Sequence, residues 1–297
     1  MGNFSQTKIG VICACAAFIM WGIFPIYFKN LEHISPYEIL AHRIIWSFII
    51  LLVIIFLLNL TKQVKGVIKD KKQVLLLFAT SILISSNWLI YIIAVANDHI
   101  AETSLGYFIN PLINIFLGMI FLKEKLNIAQ KIAFFLVIIA ILQEIMYIGK
   151  IPYVALSLAF SFGFYGLLRK KITINAFVGL FIETALLMPI AIFYIFPFIG
   201  FSYSAYFNNI QDATLLMISG LITVIPLLLF AASAARLRLS TIGFIQYLSP
   251  TISFLLAIFV YNEELTIQRV ITFILIWISL IIVTFSSFFI NKGKENV

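Results

Sequence analysis

Charge is what this sequence has least of: aspartate, glutamate, lysine and arginine together make up 11% of its 297 residues. Soluble domains carry about 25%, so the deficit excludes an ordinary globular fold. An apolar content of 63% and a mean hydropathy of +1.11 agree. Long polar stretches are missing too. The widest gap between apolar runs lies between Leu60 and Val74, which leaves no room for a soluble domain. There are 2 cysteines, Cys13 and Cys15, both inside the first apolar run. Two residues apart on a helix, they point in different directions and read as small buried hydrophobes rather than a disulfide or metal pair. His33 and His99 fall in loops, and no His/Cys/Asp/Glu spacing suits a metal. No phosphate loop, nucleophile elbow or kinase-type motif occurs. Neither a cofactor nor an ATP-driven pump is therefore expected. The net charge of +8 would suit nucleic acid only on a soluble basic face, so no nucleic-acid partner is expected either.

What is present is a series of apolar runs near the roughly 20 residues that a bilayer-crossing helix needs. Barrel strands would instead give about 10-residue alternating segments. The runs predict ten spans at 9–28, 36–60, 74–96, 102–122, 128–148, 152–168, 176–199, 213–235, 240–261 and 268–290. Pro25, Pro111, Pro189, Pro226 and Pro250 lie inside them. Each frees a backbone carbonyl one turn back, which membrane helices tolerate where neighbours or water satisfy it. Lys8 and Ala14-Cys15-Ala16 imitate a signal peptide, but the triplet sits inside the run; the first span is an uncleaved helix. With the N-terminus inside, 16 of the 20 lysines and arginines fall on the inner side of this alternation. That is a strong positive-inside bias, and it places both termini in the cytoplasm.

The chain also repeats itself. Ser104-Leu-Gly-Tyr107-Phe-Ile-Asn110-Pro111 leads to the charged turn at Lys123-Glu124, and Gln246-Tyr247-Leu-Ser249-Pro250 leads to Asn262-Glu263, with Pro250 and Glu263 each 139 residues after Pro111 and Glu124. Five spans per unit is an odd number, so the second unit is upside down. The expected fold is an all-α integral membrane protein of ten transmembrane helices, built as two inverted five-helix repeats, 1–148 and 149–297. Proline-interrupted inverted repeats are a plan of secondary transporters, with substrate held near mid-membrane between the halves.

On the fourth span Tyr107, Asn110, Asn114 and Gly118 share one helical face. The 139-residue offset sends them to Gln246, Ser249, Ser253 and Ala257, and these two stripes should face each other. Such stripes either line a cavity or pack helices together. Asn87 and Tyr91, one turn apart with Trp88 beside them, extend the candidate lining. Asn87 must find a partner in hydrocarbon, either a proline-freed carbonyl or the cavity. Trp21, Tyr165 and Tyr247 complete the cavity candidates, although aromatics also face lipid. Among charges, Glu38 and His42 share a face with Trp46, Arg43 is adjacent, and Glu183 lies in the second span's repeat partner. Intramembrane ionisable groups are functional candidates by default, so Glu38, His42, Arg43 and Glu183 are candidates for coupling or gating. Glu183 reads either as a proton-coupling carboxylate or as a buried hydrogen-bonded carboxyl, neutral or paired. Depth argues against direct contact between Arg43 and Glu183, which needs a bent helix or a bridging water or substrate, and Glu102 or Glu144 are the better expected partners of Arg43. The turns at Glu124 and Glu263 read as helix-end chemistry.

These residues resemble the RarD branch of the EamA-type transporters, in the drug/metabolite transporter superfamily. The resemblance rests on Trp21-Gly22-Ile-Phe-Pro25-Ile-Tyr27, Glu38-Ile-Leu-Ala-His42-Arg43, Asn87-Trp88, Asn110-Pro111, Phe162-Gly163-Phe-Tyr165-Gly166, Glu183-Thr184 and Gln246-Tyr247-Leu-Ser-Pro250, and it covers nearly the whole chain. It implies a bacterial inner-membrane transporter with a central cavity lined by the first four helices of each repeat, the fifth being peripheral. The expected function is secondary transport or export of small metabolites or drugs by alternating access, by a monomer or homodimer in the lipid bilayer. A passive facilitator is the first alternative. A membrane-embedded lipid-modifying enzyme is the second, and only Glu38 with His42 speaks for it.

Overall fold

A computed structural model describes residues 3–96, 100–149, 151–195, 204–261 and 266–295. Among the described residues all regular structure is helical. In chain order the helices are α1 (Asn3–Lys29), α2 (Pro36–Leu57), α3 (Thr61–Lys69), α4 (Lys71–Ala96), α5 (Ile100–Phe121), α6 (Ile128–Ile148) and α7 (Tyr153–Lys171). Then follow α8 (Ala176–Tyr194), α9 (Ala205–Asn208), α10 (Ile210–Ala234), α11 (Leu239–Gln246), α12 (Leu248–Phe259) and α13 (Ile267–Glu295). Local chemistry marks several ends. Pro36 opens α2, where its missing N–H costs nothing. Asn127 and Gln130 form a reciprocal capping box at the start of α6, and Gly149, at φ 70°, closes it.

By length and composition, 7 of the described helical segments can cross a membrane. α5 and α13 contribute the shorter apolar stretches Leu105–Phe121 and Val270–Ser286. α7 is interrupted by Ser157, Ser161, Gly163 and Gly166 and ends in Arg169-Lys170-Lys171. The sequence reading differs from the structure in two places. The polar gap after Leu60 contains α3, whose Val64 packs with Leu60 and Ile172 while its lysines stay out. The run 240–261 is two helices, interrupted at Tyr247. Pro250 explains the interruption: a proline cannot donate to the carbonyl four residues back and its ring pushes that carbonyl away, and here that carbonyl belongs to Gln246. The Glu263 turn lies outside the described residues.

The helices pack mainly between, not within, the two parts of the chain. α5 lies along α7 and α11, α6 against α13, α2 against α8 and α10, α4 against α7, and α1 against α10 and α12. Glycines permit two of these contacts. A Cβ built on Gly22 would stand 2.8 Å from Ile252 Cβ and 3.0 Å from the Ser249 carbonyl, and one on Gly163 would stand 2.6 Å from Ile113 Cγ2. Gly22→Ala is expected to cost about 1–3 kcal/mol, the usual overpacking range. Gly163→Ala should cost less, because an isoleucine branch can turn aside. Ile113→Leu, which moves the branch off Cβ and so removes Cγ2, should restore part of the Gly163→Ala loss, read as the melting temperature of the detergent-purified protein.

Candidate functional site

The last turns of α1 and the first of α2 share one end of the bundle. There Lys29 Nζ sits 4.3 Å above the Tyr261 ring, and His33 is 3.0 Å from Asp212 Oδ1. A cavity runs from mid-bundle toward this end, with about 740 Å³ of empty volume counting its open mouth. Its wall is drawn from both parts of the chain: Phe18, Trp21, Phe24 and Phe28 of α1, Arg43 of α2, Asn87, Trp88 and Tyr91 of α4. Gly106, Tyr107 and Asn110 of α5, Leu158 and Phe162 of α7, and Gln246, Ser249 and Pro250 at the α11–α12 break complete it.

The polar groups of this wall divide into those already engaged and those left free. Asn87 donates to the Leu158 carbonyl and to Ser161 Oγ, both at 2.9 Å. It thus ties α4 to α7 at the cavity edge, and the carbonyl it takes is not one freed by a proline. Gln246 accepts from Asn114 Nδ2 at 2.6 Å, so the two stripes do meet. Asn110 Oδ1 is buried without a hydrogen-bond partner among the described residues. Arg43 is 3% exposed. Its Nε donates to Thr223 Oγ1 at 3.0 Å, and the guanidinium carbon lies 4.3 Å over the Trp88 ring and 5.4 Å from that of Phe28, within cation–π reach.

The floor is aromatic. Trp21 packs on Phe18 and Phe162 with centroids 5.4 Å away in each case, and Phe230 joins Phe162 at 5.3 Å. Below the floor, at the other end of the bundle, a second set of contacts holds α5, α7, α10 and α11 together. Glu124 accepts from the Leu239 and Ser240 amides at 2.8 and 2.9 Å and from Ser240 Oγ at 2.6 Å. Its carboxylate caps the N-terminus of α11, where unsatisfied amides and the helix dipole favour an anion. Arg238 donates to the Lys125 carbonyl at 2.6 Å, and Lys170 Nζ donates to the carbonyls of Ala234 and Leu237. Glu124 is helix-end chemistry as read, but the end belongs to a helix 115 residues away.

Of the cavity candidates, Trp21, Asn87, Trp88, Tyr91, Tyr107, Asn110, Gln246 and Ser249 line the space, and so does Arg43. The others stand outside the lining. Asn114 lies one turn deeper, fully buried under Gln246. Ser253 donates to the Gly22 carbonyl at 3.0 Å. Tyr165 is buried against Phe230. Tyr247 points away from its neighbour Gln246 and donates to the Phe108 carbonyl at 3.1 Å; successive helical residues project about 100° apart. Glu38 accepts from Ser204 Oγ, and His42, 3.9 Å from Glu38, stacks on Tyr206 at 4.8 Å, so these two pack against the connection into α10.

Glu183 accepts from Thr80 Oγ1 at 2.6 Å and from Arg169 at 3.4 Å. Its partner is Arg169, not Arg43. Glu144, expected near Arg43, instead accepts from Thr272 Oγ1 at 3.0 Å between α6 and α13, because α6 packs on α13 and away from α2. The Glu102 side chain lies outside what the structure describes. The residues missed in the sequence are the apolar ones, Phe18, Phe24, Phe28, Gly106, Leu158 and Phe162. On α1 their helical spacing was the available signal, but a lipid-facing stripe has the same spacing.

The model of the EamA-like transporter family matches the chain twice, over residues 8–143 and 150–285. The chain belongs to the EamA-like transporter family. The protein named RarD from Salmonella typhi is 43% identical over 290 residues, covering 97% of this chain and 99% of that one. An uncharacterized transporter of Bacillus subtilis, YojE, is 45% identical, covering 95% of each. These likenesses place the chain in the RarD branch of the family, among transporters rather than enzymes. A solved structure only 13% identical shares the fold, with a TM-score of 0.71 over 96% of this chain and 98% of the other. The fold is thus that of an all-helical, multi-pass membrane protein.

Proposed function

We propose that this EamA-family protein is a secondary active transporter of small organic solutes, working by alternating access in the bacterial inner membrane. Its ten spans form two inverted five-helix repeats, with both termini cytoplasmic. One observation carries the reading. The cavity is walled by both halves, reaches toward one end of the bundle, and is separated from the other end by an aromatic floor and the Glu124 contacts. A channel needs a continuous path; a carrier needs a site reached from one side at a time.

Matched contacts support the inversion. Ile113 and Ile252 are 139 residues apart, and each fills the space over a glycine of the opposite half, Gly163 and Gly22. Two such equivalent interfaces let the sealed and open ends exchange by a rocking of one half on the other. With the termini inside, the end carrying Lys29 is the outer one, so the state described is open outward.

Counterflow in proteoliposomes tests the proposal. A solute found by thermal-shift screening of the purified protein should enter faster when unlabelled solute is preloaded inside, whereas a passive facilitator shows no such acceleration. Asn110→Ala and Gln246→Ala should each weaken the thermal shift without unfolding the protein. Equal shifts in both variants would remove this cavity from the mechanism. For coupling, Glu183→Gln should abolish dependence on a pH gradient if Glu183 carries the proton. A folded, active variant with unchanged dependence takes that role from it.

A further inference from the structure

The transported solute has so far been described only as small and organic. The cavity wall carries a sharper statement, and it rests on the transporter reading. Arg43 is the single charged side chain of the lining among the described residues. Among the described residues no carboxylate faces it: Glu183 is committed to Arg169 and Thr80, Glu38 to Ser204, and Glu144 to Thr272. What holds Arg43 is a neutral hydroxyl on Nε and an indole face beneath the guanidinium. A buried charge without a counter-charge is costly to keep. Cation–π contact and one neutral hydrogen bond offset only part of that cost.

The geometry of what is left over is specific. Among the described residues Thr223 on Nε is the hydrogen-bond partner of Arg43, and its two terminal nitrogens form a fork, the arrangement that grips a carboxylate with two parallel hydrogen bonds. Deeper in the cavity Asn110 offers a buried amide oxygen with no partner. Between and around them stand Trp21, Trp88 and Phe162, apolar faces suited to a flat hydrophobic body. We propose that this cavity selects organic monoanions, an aromatic or similarly flat apolar body bearing one carboxylate, and that Arg43 is the residue that reads the carboxylate. An organic cation is opposed by the same charge, and a neutral isostere leaves the guanidinium without its partner.

The test uses the full-length protein in detergent and three ligands on one skeleton: cinnamate, cinnamyl alcohol and cinnamylamine. Phenylacetate and indoleacetate extend the carboxylate arm. The carboxylates should raise the melting temperature by binding the folded state, and the alcohol and amine should not. Arg43→Gln should weaken carboxylate binding roughly 10- to 100-fold, the usual worth of hydrogen bonds to a charged group. Arg43→Lys, which keeps the charge and loses the fork, should fall between. A structural role would leave a different trace. Without ligand, Arg43→Gln should melt no lower than wild type, since it removes a buried uncompensated charge. A large fall in melting temperature with the carboxylate response intact assigns Arg43 to packing and overturns the proposal. So does an equal response to the alcohol or the amine, or no response to any carboxylate. The transporter reading fails separately. Carboxylate binding without counterflow sinks transport and leaves the anion site; counterflow of an uncharged solute, unchanged in Arg43→Gln, does the reverse.

Discussion

Glu183→Ala should be among the most damaging single substitutions in this chain. The Glu183 and Arg169 side chains are 4% and 3% exposed and stand 3.4 Å apart, with Thr80 on the same carboxylate oxygen. The site is built around the pair: a Cβ on Gly179 would fall 2.5 Å from an Arg169 nitrogen, so the absent side chain is what makes room for the guanidinium. Removing the carboxylate leaves that cation buried and unpaired, which typically costs about 3–5 kcal/mol. The expected result is a steep drop in monodisperse protein after extraction and in melting temperature. Replacing both partners together, Glu183→Leu with Arg169→Met, should recover most of the loss, because a well-packed apolar pair often equals a buried ion pair. A Glu183→Ala protein as stable as wild type, altered only in the pH dependence of transport, would show that the carboxylate serves coupling and not the fold.

Glu124→Ala should open the other end. One carboxylate accepts three hydrogen bonds from the first turn of α11, and each such charge-assisted bond nets about 1.5–3 kcal/mol. Because they share one group, the joint loss is taken as about 2–3 kcal/mol. At about 1.4 kcal/mol per tenfold, that moves the balance between sealed and unsealed forms roughly 30- to 150-fold. Ser233 is fully buried on α10 near this end, and Ser233→Cys is nearly isosteric. With Cys13 and Cys15 replaced by alanine, a thiol at position 233 should react slowly with a maleimide in the parent and much faster once Glu124 is alanine. Glu124→Gln keeps an acceptor but no charge and should fall between. Equal labelling rates in parent and Glu124→Ala would mean that these bonds do not hold the end shut.

Much of the site was legible along the chain because helical spacing is local. Tyr107 and Asn110, three residues apart, had to share a face, and the 139-residue echo pointed to Gln246 and Ser249 as their counterparts; all four line the cavity. The same logic failed one residue on. Tyr247 belongs to the same run as Gln246, but projects into the core toward Phe108. Arg169 gives no such signal in the sequence. At the end of α7, beside Lys170 and Lys171, it looks like one more basic residue outside the membrane, yet it turns inward to Glu183. Tyr165 shows the opposite ambiguity, since an aromatic at mid-span reads alike whether it lines a cavity or fills the core against Phe230.

Hydropathy and period are properties of neighbouring residues, and they alone settled that the chain is helical, lives in a membrane and presents polar stripes at mid-depth. Which polar groups are spent and which remain is a matter of distance between residues far apart in the chain. Glu183 lies 14 residues from Arg169 and 103 from Thr80, and Asn114 lies 132 from Gln246. Only tertiary packing brings them together. That packing consumes the charge of Glu183 and the amide nitrogen of Asn114, while Arg43 and Asn110 line the cavity.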